Sequence, residues 1–160
     1  MSRHSAGSPK EPDGVGGVYR TSSRRSANMA AIKREGTAPE AAVRSALHKE
    51  GFRFRKDYPL RLNGRLVRPD VAFTRLQLAV FVDGCFWHAC PVHCKLPKVN
   101  TDYWLPKLRG NTERDQVQTQ LLTEHGWVVL RVWEHETVEV AVESIRVEVD
   151  KLRSRLDWKR

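Results

Sequence analysis

A chain of 160 residues with 40% hydrophobic content holds enough apolar material for one core, and two independent domains would each be marginal. The formal charge of +9 is carried by the ends: residues 1–36 hold seven Lys/Arg against three Asp/Glu and 151–160 hold five against one, which leaves +1 for the rest. No apolar run approaches the roughly 20 residues that span a bilayer, and the polar opening lacks the apolar stretch of a secretory signal. A transmembrane helix is thereby excluded, and a cytoplasmic location is expected.

In chain order, residues 1–19 have too little apolar content to offset their ordering entropy and are expected to form a disordered tail. Residues 20–36 turn basic around Met29-Ala30-Ala31-Ile32 and read as an arm that orders on DNA, or as a plain flexible terminus. The main domain is expected from 37 to 160. Thr37-Ala38-Pro39-Glu40 opens a helix with the spacing of a capping box. Ala42, Val43, Ala46 and Leu47 give it an apolar face, and Gly51 ends it. Short strands are expected at 52–55 and 60–62, followed by the turn Asn63-Gly64-Arg65. Two further strands, 69–73 and 78–82, are joined by Thr74-Arg75. A helix capped by Asn100 or Thr101 should run to about Glu124, with Trp104, Leu108, Val117, Leu121 and Leu122 as its less polar positions. Trp127–Trp133 is the clearest strand, and 137–156 closes the chain as an amphipathic helix. The order points to one mixed central sheet flanked by helices, in the α/β or α+β class.

Charge within the core is divided. Residues 44–75 carry nine basic side chains against three acidic, and 115–150 carry two against eight. Two unlike faces of this kind steer nucleic acid to one side, and the plainer reading is a solubilising surface with no partner.

All three cysteines lie within ten positions, at Cys85, Cys90 and Cys94. In a reducing compartment that density fits a metal better than a disulfide framework, and Cys85-x4-Cys90-x2-His93, or Cys94 in place of His93, suits zinc. Asp70 follows Pro69 at a strand start and Asp83 ends the next strand, so their pairing would bring both carboxylates to one sheet end. Hard oxygen ligands there suit Mg²⁺, and Glu40 on the first helix would complete the cluster. Each also has a plainer role: a capping residue for Glu40, a strand-start residue for Asp70, a turn former for Asp83. His88 lies five residues beyond Asp83, and an imidazole can take a proton from water at neutral pH. It stands in for the lysine that Cys85 displaces from the Glu, Pro-Asp, Asp pattern, which is similar to that of the restriction-endonuclease-like (PD-(D/E)xK) nucleases.

Ser26-Ala27-Asn28-Met29, Arg68-Pro69-Asp70, Asp83-Gly84-Cys85-Phe86-Trp87-His88, Tyr103-Trp104-Leu105-Pro106-Lys107-Leu108, Asn111-Thr112-Glu113-Arg114-Asp115 and Gly126–Glu134 resemble, in order, the very short patch repair (Vsr) mismatch endonucleases. The resemblance covers roughly 25 to 136, and Gly-Cys-Phe-Trp-His followed by a Cys/His cluster is its most specific motif. It implies a restriction-endonuclease-like single domain with a structural zinc site. It also implies a Mg²⁺-dependent enzyme that nicks 5′ to the thymine of T·G mismatches left by 5-methylcytosine deamination.

Carried over by position, the resemblance implies that Asp70 binds Mg²⁺, that His88 is the general base, that Asp115 orients it, and that Glu40 helps hold water. Phe86, Trp87 and Trp104 match residues that wedge into the base stack, Met29 one that enters from the opposite groove, and Lys107 and Asn111 positions that reach the mispaired bases. For the aromatics the alternative is core packing. His135 matches a fourth zinc ligand, completing Cys85, Cys90 and His93. Where the best-known members have a Thr-His pair, this chain has Val82-Asp83, so Asp83 is a candidate direct Mg²⁺ ligand beside the Val82 carbonyl. The implied partners are double-stranded DNA, mismatch-repair proteins and a cognate cytosine-5 methyltransferase, with a monomer sufficient. Two alternatives stand beside this expectation: a related nicking nuclease with a defence or non-mismatch target, and a zinc-stabilised DNA-binding module without catalysis.

Overall fold

In a computed structural model, residues 37–96, 98 and 100–157 are described. The tail, the basic arm and Met29 lie outside them. The elements are α1 (Ala38–Lys49), β1 (Arg55–Lys56), β2 (Leu60–Leu62), β3 (Arg65–Val67), β4 (Val71–Phe73), β5 (Leu78–Asp83), α2 (Thr101–Glu124), β6 (Val128–Trp133) and α3 (Val138–Asp157).

Four strands form the central sheet in the order β1-β4-β5-β6. The β1/β4 and β4/β5 pairs are antiparallel, whereas β6 runs parallel to β5 in the register Phe81↔Arg131 and Asp83↔Trp133. A parallel pair needs a crossover, and α2 supplies it. Among the described residues the architecture is therefore mixed α/β, with a mixed sheet and three helices, as expected.

The sheet is covered on both faces, which is why β4 and β5 read as nearly continuous apolar runs. Side chains alternate across the pleat. Val71, Phe73, Leu78, Val80 and Val132 meet Val43 and Leu47 of α1 and Ile145 and Val149 of α3 in one layer. Ala72, Ala79 and Phe81 meet Leu121 and Leu122 of α2 and Trp127 in the other. Val117 differs from its expected place: it is 40% exposed, because the stripe of α2 that faces the sheet passes through Leu108, Leu121 and Leu122.

Local chemistry accounts for the remaining differences. The strand expected at 52–55 is confined to Arg55–Lys56, because the rings of Phe52 and Phe54 turn inward onto Phe73. The segment after the Asn63-Gly64 turn is a strand, β3, paired with β2 through Leu62↔Arg65. Asn63 (φ 47°) and Gly64 (φ 75°) both adopt the left-handed region that a two-residue hairpin turn requires. Thr37 occupies the N-cap of α1, but its hydroxyl donates to Glu40 Oε1 at 2.8 Å and makes no cap bond to the helix amides. Asn100 likewise begins α2 without a side-chain cap, in a left-handed conformation (φ 59°).

Candidate active site and metal centre

The C-terminal end of β5 distributes the candidate residues between the two layers. On one side, the Val82 amide donates to Asp70 Oδ2 at 2.7 Å, so Asp70 caps the β4/β5 ladder where regular pairing stops. Burial pushes the Asp70 carboxyl up to about 7; the Val82 bond opposes this, and Glu40 and Asp57 add to it while Arg44 offsets them. Glu40 is itself buried, with Arg44 Nη1 3.5 Å from its Oε2, and Asp57 Oδ1 lies 4.0 Å from the same nitrogen. Glu40 and Asp57 thus flank one guanidinium, and Asp70 feels the charge of all three groups. A raised carboxyl beside other hard oxygen donors is a grouping that fits a divalent cation such as Mg²⁺.

On the other side lie Asp83, His88, Asp115 and Arg131. His88 Nδ1 is 2.5 Å from Asp115 Oδ2 and 3.7 Å from Asp83 Oδ1. The Asp115 contact assigns the Nδ1 proton as donor and leaves Nε2 without a hydrogen bond among the described residues. Burial alone would depress the imidazole pKa, but the Asp115 bond and the charges of Asp83 and Asp115 outweigh it and raise it. Burial would raise the Asp115 carboxyl, yet His88 and Arg131 hold it below the usual range. A base held by a half-buried carboxylate in this way can accept a proton at Nε2 while the carboxylate stabilises the cation formed.

Asp83 is not part of the Asp70 group. It follows Phe81 on the pleat, faces the α2 layer, is 4% exposed, and accepts from Arg131 Nη1 with both oxygens, at 2.8 and 2.7 Å. To ligate a cation it would have to leave that guanidinium. Arg131 went unnoticed in the sequence, although one charge in the apolar run Val128-Val129-Leu130-Arg131-Val132-Trp133 was a usable signal. Glu134 also went unnoticed: its Oε1 accepts the Cys85 amide at 2.6 Å and fixes the start of the loop.

Cys85, Cys90, His93 and His135 bring one ligand atom each to within 4.8 Å of one another. Cys85 Sγ is 3.0 Å and Cys90 Sγ 3.7 Å from His135 Nδ1, and His93 Nδ1 is 4.0 Å from Cys90 Sγ. Ligands on bonds of about 2.0–2.3 Å around a tetrahedral centre stand about 3.5 Å apart, so two thiols and two imidazoles at these separations fit zinc. Burial and the neighbouring Cys90 push the Cys85 thiol up to about 11, a cost that a dication would remove. Cys94 stands outside this set, its Sγ 3.9 Å from the Phe86 carbonyl.

The loop that leaves Cys85 carries Phe86 and Trp87 onto the start of α2. Ring centroids are 5.1 Å apart for Phe86–Trp87, 5.2 Å for Phe86–Trp104 and 6.0 Å for Trp87–Trp104. All three are half-buried, while Tyr103, packed on Trp104, is exposed. Lys107 Nζ lies 5.4 Å from the Trp87 ring and 5.8 Å from that of Trp104, and Asn111 Nδ2 donates to the Trp87 carbonyl at 3.0 Å. Asn111 and Asp115 are one helical turn apart, so α2 presents the aromatic group and the His88 partner along one stripe.

A family model described as DNA mismatch endonuclease Vsr matches residues 18–95. The type II nicking enzyme V.NaeI of Lentzea aerocolonigenes is 57% identical over 122 residues, 76% of this chain and 74% of its own. The nicking enzyme V.XorIIP of Xanthomonas oryzae is 40% identical over 129 residues, 78% of this chain and 89% of its own. The DNA mismatch endonuclease Vsr of Escherichia coli K12 is 41% identical over 113 residues, 69% of each chain. With identity at this level across most of both partners, the chain belongs to the Vsr DNA mismatch endonuclease family.

Proposed function

We propose that this protein is a Mg²⁺-dependent, strand-specific endonuclease that nicks 5′ to the thymine of a T·G mismatch, with zinc as a structural ion. The observation that carries the reading is the His88–Asp115 contact of 2.5 Å at the sheet end where Asp70 caps β5. His88 Nε2 takes the proton of the attacking water as its oxygen bonds to phosphorus, and Asp115 stabilises the imidazolium. The P–O3′ bond breaks, leaving a 5′-phosphate and a 3′-oxygen that solvent protonates. Asp70, with Glu40 beside it, would hold Mg²⁺, which when bound neutralises charge developing on the phosphate.

The aromatic group supports mismatch recognition. Inserting rings between base steps costs a few kcal/mol and is cheapest where pairing is already weak. Phe86, Trp87 and Trp104 are the wedge, and Lys107 and Asn111 reach the mispaired bases; Met29, the further candidate, lies outside the described residues. Cys85, Cys90, His93 and His135 hold zinc and tie the wedge to the end of β6. The arm at 20–36 supplies phosphate contacts.

A second reading keeps the nicking chemistry without mismatch preference, and the names of V.NaeI and V.XorIIP as type II nicking enzymes favour it. Cleavage of matched T·A and mismatched T·G duplexes with Mg²⁺, over a panel of methylation-site sequences, separates the two. Equal rates on both duplexes would reject mismatch specificity. Binding without cleavage of either would leave only a DNA-binding module.

A further inference from the structure

Arg131 lies in β6 opposite Phe81, and its guanidinium sits 4.7 Å from the centre of the Phe81 ring. From there it reaches two neighbouring elements. Nη1 donates to both oxygens of Asp83 at the end of β5, Nη2 lies 3.5 Å from Asp115 Oδ1 on α2, and Nε donates to Thr119 Oγ1 at 3.4 Å one turn further along. Nη2 is buried and makes no hydrogen bond of its own, so toward Asp115 it acts as a fixed charge.

The Asp115 carboxylate is therefore held from both sides: Oδ2 meets His88 Nδ1 and Oδ1 faces Arg131. A carboxylate with one bound neighbour can rotate about its last torsion, whereas a second cation on the other oxygen fixes its plane. The imidazole that it orients is then aimed by a residue two links away. A planar fork can serve two acids at once, as a lysine ammonium at one point cannot.

We infer that Arg131 is a positioning residue for His88, acting through Asp115, and that Asp83 anchors Arg131 and does not ligate the catalytic cation. A buried ion pair is weak as a stabilising device, because desolvation offsets most of its attraction. Its presence at the sheet end is explained if the pair sets geometry. The inference rests on the reading of His88 as the base, and it goes beyond that reading in giving a task to the Asp83–Arg131 pair.

The test measures single-turnover nicking of a T·G duplex by the full-length zinc-loaded protein, with protein and Mg²⁺ titrated separately. Arg131→Lys keeps one ion pair with Asp83 and is expected to lower the rate at saturating protein about 10- to 100-fold, with the half-saturating protein concentration within about twofold. Arg131→Met strands a buried carboxylate and can fail to fold. The neutral pair Asp83→Asn/Arg131→Gln is therefore made alongside it, and it should regain the thermal midpoint while the rate stays low. Asp83→Asn alone should leave the Mg²⁺ midpoint unchanged. A rate within about twofold of the original protein in the neutral pair would overturn the inference and reduce the ion pair to packing. A raised Mg²⁺ midpoint in Asp83→Asn would overturn it by making Asp83 a ligand. Nicking that survives His88→Ala would remove the reading beneath it, an outcome distinct from either.

Discussion

Asn111 holds Trp87 by its backbone, through a 3.0 Å hydrogen bond from the amide nitrogen to the Trp87 carbonyl, and so the aromatic loop is braced from the helix that also carries Asp115. Asn111→Ala removes that brace. Stability should fall by about 1 kcal/mol, and the ratio of T·G to T·A nicking should fall further than the T·G rate itself. Paired nicking assays and thermal denaturation check both parts; an unchanged ratio would place Asn111 outside recognition.

His88→Ala and Asp115→Asn bear on the proton transfer. Loss of the base should lower single-turnover nicking by about 100-fold or more, and the asparagine, which can still meet Nδ1, should be less severe. Zinc content, measured by colorimetric release, should match the unaltered protein in both, since neither residue belongs to the Cys/His set.

Asp70 makes stability depend on pH. Its carboxyl is raised from 3.8 to about 7, so the folded chain keeps a proton that the unfolded chain has released. Without added Mg²⁺, that contribution is full below about pH 4 and is lost as the pH rises toward 7. Denaturant midpoints across this range should slope downward, the slope should flatten with Mg²⁺, and Asp70→Asn should lack it. An equal slope in the variant would assign the dependence elsewhere.

Cys90→Ser or His135→Ala opens the metal set. Each should cost about 3 kcal/mol, or about 10 °C in Tm, and should weaken duplex binding more than it changes the Mg²⁺ midpoint. Calorimetry with metal analysis is the check.

The long elements were legible because their patterns were redundant. Helix α2 is 24 residues with a Gly stop, and β6 is a six-residue strand, apolar but for Arg131, inside the stretch between Gly126 and Glu134. The Cys/His set was legible in part from spacing, but His135 lies 42 residues beyond His93 and was named only through resemblance. Strand β3 was hidden because Arg65 and Leu66 are exposed and carry no alternation. The Asp83–Arg131 pair was hidden for another reason: nothing in either segment states that β6 runs parallel to β5, and only that register puts the two side chains on one face.

That register has a cost for the chain's evolution and redesign. Val82 and Asp83 are neighbours that serve opposite layers, so the two halves of the sheet end depend on the pleat keeping its phase. A slip of one residue between β4 and β5 would turn Asp83 toward α1 and α3 and present Val82 to His88. The Thr74–Gln77 turn is the nearest place where such a slip could arise. A single inserted residue there should disable the nuclease while leaving most of the hydrophobic content buried, whereas paired insertions, which restore the phase, should be better tolerated.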